Sequence, residues 1–379
     1  MKIRRRYHFD GATLAFVGIT LFLGAGAVTS QNNLLVVVFG LAFATIVVSG
    51  VLSGMMMLGL RVERDSPPVG AVGEPLAVRY RVSNTARRLP AFALWIREDD
   101  SGAGQESLER RRRLLGDWDA RLLHVGPGEE GVASALVTPR ARGEAPLVGV
   151  RVRSAFPFGL FPKSISCAHA QSILVFPRTV AIRRDALRAL VTHAHTGHHA
   201  QTRRGAGVEF FGVREYKPGD SPRRVAWKRT ARTGELVVRE HAAPHAGVLE
   251  VLLNLNSPHE RECEDAITLA ASLACEALRM GIEVGLGVPA HGVRVEPTGG
   301  PKQQAAVLSA LARIDLHSPP PARAPVGGTE LDTARAACLA VHASAPDASF
   351  GPTGCRHIGA ADAPALVDAG HRGGGGGGG

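Results

Sequence analysis

The sequence has no Gly-x-Ser-x-Gly elbow, no Walker phosphate loop and no His-Glu-x-x-His pair, and no two carboxylates stand out as an acid–base couple. Nothing in it calls for catalysis, and we expect a non-enzyme with no cofactor. Aromatic residues make up only 5% of the 379, too few to interleave with the basic stretches as a surface that stacks nucleic-acid bases does. The five cysteines (Cys167, Cys263, Cys275, Cys338 and Cys355) form no Cys-x-x-Cys pair. Their odd number and scattered spacing read as free thiols in a reducing compartment. The largest absence is local: from Gly11 to Leu60 there is not one charged residue.

That uncharged stretch is long enough for two helical crossings of a bilayer, each of roughly 20 residues. Its most polar patch, Thr29 to Asn33, offers the break, so the pattern predicts helices at about Gly11–Val28 and Leu34–Leu60 joined by a tight hairpin. A cleavable signal peptide would be followed by mature polar chain, whereas here a second apolar run follows at once. Gly50 and Gly54 form a Gly-x-x-x-G spacing that lets two helices approach closely. Lys2, Arg4, Arg5 and Arg6 precede the first span, Arg61 and Arg64 follow the second, and the loop between is uncharged. Positive flanks stay inside. The expectation is a multi-pass protein of the plasma membrane with both termini cytoplasmic. The overall charge of +10 favours acidic partners: anionic lipid, an acidic protein face or nucleic acid, the last disfavoured by the few aromatics.

From about residue 61 to 177 the period changes to two. Leu76, Val78, Tyr80 and Val82 alternate with Arg79 and Arg81, and Phe92, Leu94 and Ile96 repeat the pattern. Pro and Gly recur at turn density, so these short strands suggest a sandwich-like β domain. Arg110–Arg113 lies in an amphipathic basic insertion, either a solvated face or a contact for lipid headgroups. Phe156–Lys163, FPFGLFPK, reads as a rigid aromatic corner, with partner docking as the alternative.

Gly212–Glu240, GVREYKPGDSPRRVAWKRTARTGELVVRE, packs a buried-looking Trp227, a Lys-Pro-Gly-Asp turn and a run of cations into one short span. Pro218 and Gly219 suit the central turn positions, Asp220 or Ser221 can cap a helix beginning at Pro222, and Gly234 suits its stop. On such a helix Arg224, Lys228 and Arg232 fall at i, i+4 and i+8 and line one ridge, with Trp227 covering the stems of Arg223 and Arg224. Like charges at that spacing repel by a few tenths of a kcal/mol per pair, at roughly 0.2–0.5. Either nearby Glu209, Glu215, Asp220, Glu235 and Glu240 offset them in a salt-bridged mesh, or an external acidic surface does.

These residues resemble the signature of the bacterial family known as domain of unknown function 58. The matching positions are Glu209, Phe210, Arg214, Glu215, Tyr216, Pro218, Gly219, Asp220, Arg223, Trp227, Ala231 and Arg232, with Thr230 where Ser is usual. The two-helix hairpin with QNNLL, the strand AVGEPLAVRYRVSN, the run RARGEAPLVGVRVRSAFPFGLFPK and ILVFP follow in family order, so the likeness covers about Gly11 to Leu316. It names no activity. It implies, by association only, a MoxR-type AAA+ ATPase as partner.

Downstream, GVLEVLLNL is a continuous apolar strand, CEDAITLAASLACEALRMG a helix with Gly281 at its stop, IEVGLGV a further strand and QQAAVLSALARI a further helix, as in a parallel α/β sheet. The family's C-terminal half resembles a von Willebrand factor A domain, whose Asp-x-Ser-x-Ser motif binds a divalent metal. Here Asn254, Asn256 and Pro258 occupy those positions, with Ser257 between. Mg²⁺ wants hard oxygens and usually a carboxylate, so this degenerate site argues against a metal. The histidines His193, His195, His198 and His199 read as a surface loop rather than a zinc site. Thr329–Ser344 suggests one more helix, and residues 318–379 otherwise read as a mostly disordered tail. The expected fold class is therefore α+β multi-domain: a basic N-terminus (1–10), a transmembrane helical hairpin (11–60), a β-sandwich-like domain (61–177), an α/β von Willebrand A-like domain, possibly incomplete, carrying the signature (178–317), and the tail. The expected function is a membrane-anchored, cytoplasm-facing binding or scaffold protein; the alternative is Mg²⁺-dependent adhesion through the A-like domain.

Overall fold

The two uncharged stretches form helices long and apolar enough to cross a membrane, α1 (Gly11–Ser30, 20 residues) and α2 (Asn33–Leu58, 26 residues). The polar patch between them ends one and starts the other: the Asn32 side chain caps α2 by accepting from the Leu34 N–H at 2.9 Å. The computed structural model describes residues 3–7, 10–30, 32–65, 69–194, 204–216, 225–242, 247–317, 336–352 and 354–367. The chain divides into two units, Met1–Pro177 and Arg178–Gly379.

In the first unit α1 and α2 pack as a hairpin in which Gly24 lies under the Phe39 ring and Gly26 under Leu35. Leu14, Leu21, Phe22, Leu34, Leu41 and Phe43 stand exposed on it. The close approach is made by these glycines, not by Gly50 and Gly54. Those two instead receive Lys163, whose ammonium donates to the Gly50 carbonyl at 2.6 Å through the space that a Cβ on Gly54 would fill. β2 (Leu60–Arg64) follows α2 with only Gly59 between.

The remaining strands of this unit are β1 (Ile3–Tyr7), β3 (Gly70–Ala71), β4 (Leu76–Asn84), β5 (Ala91–Glu98), β6 (Asp119–Val125), β7 (Glu130–Val137), β8 (Gly143–Ser154) and β9 (Lys163–Phe176). They build one sheet in the order β1-β9-β8-β5-β6, with β3 beside β9, and a second in the order β2-β4-β7. The alternation read from Leu76 to Val82 holds: Val78, Tyr80 and Val82 are fully buried between the two sheets, against Ile96, Val150 and Val152. Each such aliphatic side chain contributes roughly 1.5–3 kcal/mol. The basic N-terminus is not a free flank, since β1 pairs antiparallel with β9. Nor is Arg110–Arg113 simply a solvated face. It lies in α3 (Gln105–Leu115), and Arg111 is buried with its guanidinium on Asp117 (2.9 Å), Asp100 (3.2 Å) and the Trp118 ring.

In the second unit α4 (Arg184–Ala194) precedes a two-stranded ribbon of β10 (Arg204–Glu215) and β11 (Val237–Ala242), with α5 (Trp227–Thr233) between them. Then come β12 (Val248–Asn254), α6 (Glu260–Arg279), β13 (Glu283–Val288), β14 (Val293–Thr298), α7 (Pro301–Ala312), β15 (Ala336–His342), β16 (Arg356–Gly359) and the single turn α8 (Ala363–Leu366). The sheet order is β14-β13-β12-β15-β16; all pairs are parallel except β13–β14. Strands that are successive in sequence, β12 then β13, lie on one side of the switch point and β15 on the other.

Three expectations are corrected here. The segment Thr329–Ser344 supplies β15, not a helix, and the stretch assigned to a disordered tail contributes two strands of the sheet. AACLAVH is Ala-rich and apolar without alternation, so it reads as helix, but a parallel strand covered on both faces has the same pattern. The five thiols are also not all free. Cys338 and Cys355 are joined as a disulfide, while Cys167, Cys263 and Cys275 are free and buried.

Candidate functional site

Of the signature residues that the structure describes, Glu209, Phe210, Arg214 and Glu215 lie on β10, Tyr216 follows it, and Trp227, Ala231 and Arg232 lie on α5. In register, Arg214 sits opposite Val238 and Glu215 opposite Val237, and the Tyr216 N–H donates to the Leu236 carbonyl at 2.8 Å. The chain then returns to the other side of the same strand: Val225 bridges Val238 and the Ala226 N–H donates to the Val237 carbonyl at 2.7 Å. Val225, Ala226 and Val238 are buried and form the foot of the element. α5 rises from that foot. Gly234 stops it in the left-handed region (φ 76°), its N–H on the Thr230 carbonyl at 2.9 Å, as the sequence predicts. Thr230 also has a role of its own. Its hydroxyl accepts from the Val237 N–H at 3.1 Å and ties helix to strand, a task that Ser or Thr can perform.

The helix differs from the sequence reading in extent. Among the described residues it spans Trp227–Thr233, with Val225 and Ala226 before it outside the helix. Lys228 and Arg232 keep the i, i+4 relation on it. Pro218, Gly219, Asp220, Arg223 and Arg224 lie outside the described residues, as does the group His195, His198 and His199 with the His193 side chain. The larger correction concerns Trp227. It is not buried but 63% exposed, and Arg229, Ala231, Arg232 and Leu236 are exposed nearby in sequence. The pairing of Val225 with Val238 leaves the next residue but one pointing away from the foot. No sequence signal separates that arrangement from a buried tryptophan.

The second candidate is the carboxyl end of the parallel strands, where open α/β sheets place their ligands. Asn254 ends β12. Its side-chain carbonyl accepts from the Asn256 N–H at 3.1 Å and its amide group donates to His342 Nδ1 at 3.2 Å. With Nδ1 accepting, the fully buried His342 carries its proton on Nε2 and donates to His357 Nδ1 at 3.0 Å. Burial, and then the neighbouring His357, hold the His342 imidazole below its usual range, in the neutral form this chain requires. Ser257 donates to Glu262 at 2.5 Å and accepts from the His259 N–H. The donor set does not fit Mg²⁺: both functional atoms of Asn254 are engaged within the loop, the Ser257 hydroxyl is bound to a carboxylate, and Pro258 has no side-chain oxygen. Among the described residues no three His, Cys, Asp or Glu side chains are grouped to hold a metal.

Beneath this end lies a group that the sequence does not reveal. Glu250, mid-strand in β12, is 1% exposed, with its carboxyl over Gly285, where a Cβ would stand 2.0 Å from Oε2. Oε1 has no hydrogen-bond partner, and the Arg294 guanidinium is 3.8 Å away. Burial pushes its pKa up to about 7 against the pull of Arg294.

These features define a mixed α+β protein with an exposed aromatic side chain, Trp227, on the helix of its signature element. Residues 212–345, from within β10 to just beyond β15, match the family model described as "Protein of unknown function DUF58". The "Uncharacterized protein YeaD" of Bacillus subtilis (strain 168) is 26% identical over 223 residues, 55% of this chain and 51% of its own length. The chain thus spans about half the length of that curated relative.

Proposed function

We propose that the protein is a membrane-anchored binding or scaffold protein, with α1 and α2 in the bilayer, both termini cytoplasmic, and the signature element as its contact with an acidic protein partner. Exposure of Trp227 carries this reading. A tryptophan held out from a buried foot, on the same short helix as the exposed Arg232, has the chemistry of an interface anchor, and Trp and Arg are the residue types that dominate such contacts. A salt-bridged mesh alone would give that ring no reason to leave the core. The exposed apolar side chains along α1 and α2 support lipid as their surroundings. The sheet order of the second unit, with β14 antiparallel at the edge, supports the A-like reading of that half, serving as a recognition fold without metal. A MoxR-type AAA+ ATPase is the partner to test first, from the family resemblance alone.

The test compares the full-length chain with W227A and R232E in co-purification with that ATPase. Loss of the complex with the unfolding midpoint unchanged supports the contact. A collapsed midpoint assigns the element to the protein's own stability.

A further inference from the structure

The sheet β1-β9-β8-β5-β6 turns one face to the core, and the other carries an unusual set of residues. Backbone register places Arg153, Trp95 and Arg121 side by side on β8, β5 and β6, and the row runs on through Ser164 on β9 to Arg6 on β1. One step along the strands, Arg151, Arg97 and Asp119 form a second row, continued by Ser166 and Arg4. For Arg4 and Arg6 the register alone is described. Asp119 is the one carboxylate in the two rows, and the buried Asp99 outside them holds Arg151. The Arg121 guanidinium lies 4.6 Å from the Trp95 ring centroid. Arg153 pairs with Asp10 at 3.0 Å between half-exposed groups, and Arg121, itself exposed, with the partly buried Asp119 at 3.4 Å. Such pairs are worth less than about 1 kcal/mol, so an incoming phosphate can displace or share them.

Beside the first row is a groove of about 410 Å³ lined by Ala93, Trp95, Arg153, Phe156 and Pro157 among others. It is mainly apolar, with one guanidinium at its wall. The corner that closes it lies against the helical hairpin: the Thr13 hydroxyl donates to the Leu160 carbonyl and Lys163 reaches Gly50. At 1.5 Å per residue, Gly50 stands about 12 Å along α2 from its Leu58 end. The corner therefore runs alongside the apolar helices rather than stopping at their ends, and Phe158 on it is 56% exposed. Phe158 stands exposed on the corner, and the groove beside it sets aromatic and apolar groups against the Arg153 guanidinium. A bilayer leaflet presents acyl chain, interface and phosphate in that order.

We infer that this outward face binds anionic phospholipid of the same membrane, with a phosphate seated on Arg153 at the groove and the glycerol and upper acyl chain against Trp95, Phe156 and Pro157. The inference rests on the hairpin lying in the bilayer. The fixed donor fork of arginine suits phosphate, and the anionic headgroup adds the attraction that the rows of guanidiniums supply.

The test counts bound lipids on the full-length chain in neutral detergent by native mass spectrometry. The probes are phosphatidylglycerol, phosphatidylcholine of the same acyl chains, and inorganic phosphate as competitor. Phosphatidylglycerol should be retained at concentrations at least tenfold lower than phosphatidylcholine. R121Q/R153Q should abolish that preference without moving the unfolding midpoint, and R110Q/R113Q on α3 should keep it. Equal retention of the two lipids, a preference that survives R121Q/R153Q, or one lost only in R110Q/R113Q overturns the assignment. Displacement by inorganic phosphate or by an acidic peptide at equal concentration also overturns it, since the face would then read anions rather than lipid. Alkaline extraction of the membranes separates the two readings. Release of the wild type removes the anchoring itself, whereas retention with no lipid preference removes this inference alone.

Discussion

Each unit buries a glutamate, and the two are treated in opposite ways. Glu98 in the β-sandwich is 3% exposed and fully engaged: Arg64 reaches it at 2.5 Å, the Tyr80 hydroxyl donates to it at 2.6 Å, and the Trp118 indole donates in turn to Tyr80 at 2.7 Å. Arg64 has further acceptors in the His169 carbonyl and Gln171. Burial and the Glu98 charge push the Tyr80 hydroxyl well above its ordinary pKa, which keeps it a donor. Glu250 in the α/β sheet is as deeply buried, but it has an orphan oxygen and a guanidinium at 3.8 Å. Burial sets the cost of a charge, and partners decide whether the group is a fixed tie between strands or a proton-dependent weak point.

The largest effect should come from breaking the satisfied site. R64M leaves Glu98 buried without its cation and should cost about 3–5 kcal/mol, seen as faster amide exchange in β4 and β5. R64M/E98L, which removes both charges, should recover most of it; a double variant no better than the single would show that the pair is not what matters.

Glu250 gives the next effect, and its sign is fixed by the direction of its shift. Its folded pKa, about 7, lies above its ordinary 4.5, so the folded state holds the proton more tightly. The stability this gives is fully present below about 4.5 and is lost as pH rises through about 7, a change of at most about 3 kcal/mol. E250Q should flatten that dependence, so that the protection of β12 and β13 amides, taken relative to their intrinsic exchange rates, is the same at pH 8 as at pH 5. If wild type and E250Q show the same pH profile, the carboxyl is not the source.

Smaller effects belong to the signature element. T230V removes the acceptor for the Val237 N–H and should cost about 1 kcal/mol, read from exchange in β11; T230S should restore it. W227A should change stability by less than about 0.5 kcal/mol, as expected for an exposed side chain. A loss of several kcal/mol would return Trp227 to the core.

The same contrast explains what could be read from the chain. The uncharged stretch, the two-residue alternation from Leu76 to Val82 and the unbroken apolar run of β12 are local patterns, and each became the element it predicts. Pairings distant in sequence were not legible. Nothing near Arg64 announces Glu98, and nothing near Glu250 announces Gly285 or Arg294. The Ala-rich β15 was hidden because its composition fits a helix equally well, and only β12 and β16 beside it decide the matter. Cys338 and Cys355 looked unrelated until the sheet placed their Cα atoms 4.6 Å apart. Of the candidate site, the Gly234 stop could be read, whereas the exposure of Trp227 depends on the bridge from Val225 to Val238.

The disulfide also bears on orientation. In the cytoplasm thiols are kept reduced, so with both termini inside Cys338 and Cys355 should take up alkylating reagent in cells lysed under acid quench. A protected pair would place the second unit on the oxidising side. The most direct test of the account, however, is alkaline carbonate extraction of native membranes with the mass of the retained chain determined. Anchoring by α1 and α2 predicts the intact chain, from Met1, in the pellet. A chain in the supernatant, or one shortened from its N-terminus past α1, would contradict it.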